Sequence, residues 1–151
     1  MVGPGLRRVK AFGRVGLLAA LMLTVGGCFW HRYPRLVVTH AELLADMAEK
    51  GRDLVVIGQF TAESLPELTY PLERALAFQQ DAVRRAGATA PASLAAFTTL
   101  VAAYQALVHT LDETRGQPRE KQVAGRAGLD AAVTAIRAAA EAVRAAVAAG
   151  G

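Results

Sequence analysis

Apolar residues return every three or four positions along most of the chain beyond residue 39, a rhythm that predicts helices. The clearest run lies between Pro91 and Gly116, where Leu94, Phe97, Val101, Tyr104, Val108 and Leu111 step by 3, 4, 3, 4 and 3. That alternation is the seam of a heptad pattern. After the break at Gly116-Gln117-Pro118, Leu129, Val133, Ile136, Ala140, Val143 and Val147 step by 4, 3, 4, 3 and 4, predicting a last helix to about Ala149. An earlier helix should carry Leu68, Leu72, Leu76, Gln79 and Val83 and stop at Gly87. Pro66 and Pro71 blur its start; proline fits only the first helical turn, so regular helix is expected from near Pro71.

The first of the four elements is the most ambiguous. Thr39-His40-Ala41-Glu42 has the form of a capping box. From it Leu44, Met47, Gly51, Leu54 and Gly58 recur at helical spacing, predicting a helix over about 40–59. Leu36-Val37-Val38 and Leu54-Val55-Val56-Ile57 are also β-prone, and Gly51 could cap a shorter helix, so residues 36–58 admit a strand-helix-strand alternative. Nothing downstream supplies a third strand, which favours the helix. Helices of roughly 20 residues are about 30 Å long, and short connections force neighbours antiparallel. The expected fold is all-α, an antiparallel four-helix bundle.

The segment before this pattern has a different character. Arg7, Arg8, Lys10 and Arg14 precede an 11-residue apolar run, Val15 to Val25, which ends in Gly26-Gly27 and the only cysteine, Cys28. A run this short falls below the roughly 20 residues needed to span a bilayer, and a basic start followed by an apolar stretch and small residues is the pattern of a secretory signal peptide. Leu23-Thr24-Val25-Gly26-Gly27-Cys28 resembles the lipobox of bacterial lipoproteins, with Val25 three positions before the cysteine and small residues between. The resemblance implies cleavage before Cys28, lipidation of Cys28, and a chain of signal peptide 1–27, membrane-proximal tether 28–38 and helical domain 39–151. It also implies outer-membrane sorting in a Gram-negative host, because Phe29 is not the aspartate that often retains such proteins in the inner membrane.

Charge changes meaning under that division. The whole chain carries 17 basic and 13 acidic residues for a net +4. Four of the basic residues precede Cys28 and every acidic one follows it, so the mature part is neutral. No electrostatic footprint for nucleic acid remains. Just after the cysteine, Phe29, Trp30, Arg32, Tyr33 and Arg35 gather aromatic and cationic groups suited to a lipid headgroup region. The alternative is that these rings pack onto the domain.

Catalytic and cofactor patterns are sparse. There is no Glu-x-x-His for a di-metal bundle and no Cys-x-x-Cys-His for covalent haem. His40-Ala41-Glu42 matches half of a zinc-deaminase signature but lacks its cysteine pair. Met47 and His109 would sit roughly 15 Å apart in height on parallel helices, too far to share one iron. Ser64 and Ser93, the only serines, lie at expected helix starts, and Asp112 and Glu113 in a last helical turn. No catalytic residue, metal or cofactor is therefore expected. One surface stands out: Ala135, Ala138, Ala139, Ala142, Ala145 and Ala146 form an alanine face on the last helix, able to admit a helix of a partner protein or second copy at close range. The function expected is binding or scaffolding at the cell envelope; the alternative is a carrier for a small apolar ligand, held in the bundle interior around Phe78, Phe97 and Tyr104.

Overall fold

Among the described residues the chain forms five α-helices and no strand: α1 (Val9–Val56), α2 (Ser64–Ala86), α3 (Ala92–Arg115), α4 (Arg119–Ala124) and α5 (Arg126–Ala149). The structure is a computed structural model that describes the backbone of residues 9–150 and the side chains of residues 28–150. Arg7 and Arg8 lie outside the described residues, as do the side chains of Lys10, Arg14 and the rest of the expected signal peptide to Gly27. The chain divides into two units, Met1–Pro34 and Arg35–Gly151.

Three local expectations are corrected. The capping box does not form: α1 begins well upstream, and Thr39 is an interior residue whose hydroxyl donates to the Arg35 carbonyl at 2.9 Å. The strand alternative fails as well, since residues 36–56 are continuous helix. α1 ends instead where Gly58 takes a positive φ of 72°, with the Gly58 N–H donating to the Val55 carbonyl. The second helix starts at Ser64, about two turns before the expected Pro71, because Pro71 is accommodated inside α2. The last helix is split at Gly125 into α4 and α5.

Within the Arg35–Gly151 unit, side-chain contacts fix the helix directions. Lys50 of α1 pairs with Glu67 of α2, and the His40 ring lies 4.9 Å from Phe78, so α1 and α2 run antiparallel. α2 and α3 are likewise antiparallel, with Gln79 donating to Thr98 and Tyr104 donating to the Leu68 carbonyl. α5 runs against α1, as the pairs Glu42–Arg144 and Glu49–Arg137 require.

The core follows a heptad stripe on each long helix. On α3 all six expected positions are buried, and Leu100 and Leu107 widen the stripe because α3 packs against both α2 and α5. α3 is also long and apolar enough to cross a membrane by composition, which its central place in the core accounts for. On α5 the stripe is Leu129, Val133, Ile136, Ala140 and Val143, as the pattern predicts. On α1 it is Val37, Ala41, Leu44, Ala48, Gly51 and Val55, and on α2 it drifts from Leu68 and Leu72 to Ala75, Ala82 and Ala86. Val83, expected in the seam, is 54% exposed. Large side chains on α3 and α5 thus meet small ones on α1 and α2, which brings the backbones close at roughly constant core volume.

Candidate functional site

Cys28 lies on α1 with its thiol exposed and unbridged. The residues after it occupy successive helical positions. Spacings of one, three and four bring Phe29, Trp30 and Tyr33 onto neighbouring parts of one face. Their rings touch: Phe29 and Trp30 meet edge to face at 5.2 Å, Trp30 and Tyr33 lie 5.0 Å apart, and Phe29 and Tyr33 6.0 Å. Phe29 and Trp30 are half-buried, Tyr33 is buried, and Arg32 and Arg35 are exposed. Within the Met1–Pro34 unit the segment is therefore an aromatic cluster with the exposed Arg32 and a reachable thiol.

The alanine face of α5 is open. Ala135, Ala138, Ala142 and Ala145 are exposed, and Ala139 and Ala146, nearer the core stripe, are half-buried. Helical spacing explains the outcome: with Val133, Ile136 and Val143 turned inward, positions 135, 138, 142 and 145 project away from the bundle.

Beside this face runs a feature that the sequence pattern contains but that becomes legible only once α1 and α5 are paired. Glu42 and Glu49, seven residues apart on α1, meet Arg144 and Arg137, seven apart on α5; one heptad further along α5, Asp130 lies 3.8 Å from Arg52. Each pair is half-exposed and contributes about 0–1 kcal/mol at most. Its effect is on register. Sliding α5 by one heptad would set Asp130 against Glu49, a like-charge contact that the observed alignment avoids.

The groups considered for chemistry stay apart. His109 is exposed, its Nε2 3.6 Å from Glu113, and Asp112 pairs with Arg115 at 3.1 Å, so neither acid faces a cleft. Met47 is half-buried on α1. Ser64 opens α2, its hydroxyl 3.3 Å from that of Thr61, and Ser93 is buried in the first turn of α3. Among the described residues no three His, Cys, Asp or Glu side chains converge as a metal site.

Two buried or part-buried titratable groups do have altered acidity. Burial raises the Tyr104 phenol well above its ordinary value, and its hydroxyl donates to the Leu68 carbonyl at 3.0 Å. His40 sits against Phe78 and, at 6.3 Å, Phe97; desolvation lowers its pKa, with a smaller contribution from the Arg74 charge. His40 was no more than half a motif in the sequence, yet its ring completes the aromatic cluster of the core, with Phe78 and Phe97 edge to face at 5.6 Å. Comparison with family models, with characterised proteins and with solved structures finds no match to this chain.

Proposed function

We propose that this chain is the precursor of a lipid-anchored protein of the bacterial cell envelope. In this reading, cleavage precedes Cys28, the mature part is an antiparallel four-helix bundle formed by α1, α2, α3 and α5, and the protein acts by binding or scaffolding without catalysis. The observation that carries the proposal is the run Leu23-Thr24-Val25-Gly26-Gly27-Cys28 behind a basic start, ending at an exposed thiol. In a Gram-negative host, Phe29 after the cysteine favours the outer membrane, facing the periplasm.

Two further features support binding over carriage. Of Phe78, Phe97 and Tyr104, around which an apolar ligand would sit, Phe78 is half-buried, Phe97 and Tyr104 are fully buried, and the Tyr104 hydroxyl is hydrogen-bonded inside. A small-molecule site needs several hundred Å³, and burial of Phe97 and Tyr104 against other side chains supports a packed interior. Meanwhile Ala135, Ala138, Ala142 and Ala145 leave a smooth helix face uncovered, the surface we assign to a partner helix or second copy.

Mass spectrometry of the protein purified from membranes tests the anchor. The expected result is a chain beginning at Cys28 with acyl groups on it, and release of the protein from the membrane fraction in Cys28→Ser. An unmodified Cys28, or a mature chain beginning elsewhere, overturns the proposal.

A further inference from the structure

The end of α1 and the α4–α5 corner enclose a small notch that no role assigned so far uses. Its volume is about 60 Å³. Val55, Val56 and Val123 provide its apolar surface, with Val56 39% and Val123 65% exposed. A bound water occupies roughly 10–15 Å³ of such space and about 30 Å³ in the liquid. The notch therefore seats about one branched aliphatic side chain and is far too small for a drug-sized ligand.

Its polar lining is one-sided. Arg119, Gln122 and Val123 have the spacing of one face of α4, from which Glu120 and Lys121 are left out, and Arg126 opens α5 just past Gly125. The Gln122 amide is already engaged, donating to the Gln117 carbonyl at 3.0 Å and the Thr114 carbonyl at 3.3 Å. The backbone at the end of α1 is satisfied too: the N–H groups of Ile57, Gly58 and Gln59 donate to the carbonyls of Asp53, Val55 and Leu54. The Arg119 and Arg126 guanidiniums remain, and neither makes a hydrogen bond or ion pair with a described residue. Asp130, one turn beyond Arg126, is directed to Arg52 instead.

An aliphatic seat bracketed by two unengaged cations selects its occupant by complementarity. The geometry points to an acidic peptide segment of a partner protein, one that places an aliphatic side chain among Val55, Val56 and Val123 with carboxylates on either side meeting Arg119 and Arg126. The site does not depend on lipidation of Cys28. The competing role for the two arginines is structural: α1 has no basic residue in its last turn, and cations near a helix C-terminus are favourable.

Nuclear magnetic resonance titration of the isotopically labelled full chain separates these cases, with the blocked peptide acetyl-Glu-Leu-Glu-amide as probe. Saturable shifts confined to Val55, Val56, Gly58 and Val123 are expected. Affinity should fall at least fivefold when both glutamates of the peptide are replaced by glutamine, and again when its leucine is replaced by glycine. The double variant Arg119→Gln with Arg126→Gln should lose at least tenfold in affinity at an unchanged melting temperature. Val123→Gln, at an exposed position that folding does not need, should weaken binding as well. Shifts that do not saturate, that scatter over the surface, or that are equal for the glutamine peptide overturn the proposal. So does a double variant that binds normally but melts lower, which assigns the arginines to the end of α1.

Discussion

Gly51→Ala probes the place where α1 comes closest to its neighbours. A Cβ at Gly51 would lie 2.9 Å from Leu111 Cδ1 and 3.1 Å from Leu68 Cδ1, inside normal contact distance. Leu111 and Leu68 are 0% and 1% exposed, so neither can swing into solvent to make room. Overpacking of this kind costs about 1–3 kcal/mol. Exchanging glycine for alanine within a helix returns about 1 kcal/mol. The single variant should therefore be destabilised by about 1 kcal/mol, the middle of a range that reaches zero, and a double-mutant cycle is needed to read it. Leu111→Ala alone should cost about 2–5 kcal/mol, since a fully buried leucine leaves a cavity. In that background the 2.9 Å contact is gone and Leu68 can shift by a few tenths of an ångström into the space Leu111 vacates, so the substitution should stabilise by about 1 kcal/mol. The expected coupling is about 2 kcal/mol, measured by urea denaturation of the four proteins followed by circular dichroism. Additivity within about 0.5 kcal/mol, or stabilisation by Gly51→Ala in the wild-type background, would refute the close approach.

The altered acidities predict a stability curve that declines at both ends. His40 has a folded pKa below the ordinary 6.5, so its contribution is complete above about pH 6.5 and is lost as pH falls through the folded value; His40→Phe should flatten that acid limb. The Tyr104 phenol is held protonated above its unfolded value of about 10, so stability is intact below that pH and lost as pH rises beyond it; Tyr104→Phe should flatten the alkaline limb and cost about 1 kcal/mol for the lost bond to Leu68. Melting temperatures across pH check both, and limbs unchanged by the substitutions reject them. On α5, Ala138→Glu and Ala142→Glu should each change folding stability by less than about 0.5 kcal/mol, because both positions are exposed. Cross-linking in membranes should then show a complex lost at constant melting temperature; a complex left intact would rule out the alanine face as a docking surface.

The parts of the fold that were legible in the sequence are those where burial is done by large side chains. Leu94, Phe97, Val101, Tyr104, Val108 and Leu111 each bring about 1.5–3 kcal/mol of burial, so their spacing cannot be confused with an exposed pattern, and α3 places every one of them inside. α1 and α2 were legible as helices, with Leu44, Gly51, Leu68 and Leu72 buried as expected, but the rest of their buried stripes was not. Their stripes rest on Ala41, Ala48, Gly51, Ala75, Ala82 and Ala86, residues that look the same inside a core as on a surface, and the eye goes instead to Leu76 and Val83, which turn partly or largely outward. Gly51 carried two meanings, a helix cap or a position in the apolar stripe; the helix runs through it, and Leu111 and Leu68 pack against it.

Alanine-rich helices raise a specificity problem that the charged residues answer. Small residues pack acceptably in more than one register, since shifting an alanine by a heptad against another alanine changes little volume or apolar area. Large residues on α3 set the depth of packing, while the buried stripe of α1, Val37, Ala41, Leu44, Ala48 and Gly51, is mostly of small side chains that constrain its sliding weakly. Glu42 and Glu49 opposite Arg144 and Arg137, with the signs reversed where Arg52 meets Asp130, penalise every heptad slip by at least one like-charge or broken pair. The individual pairs add little to stability, yet the order of their signs encodes alignment, as charge patterns do in coiled coils. The polar stripe of α5 and its alanine face are thus separate: Asp130, Arg137 and Arg144 align α5 on α1, while Ala135, Ala138, Ala142 and Ala145, one side further round the helix, stay exposed.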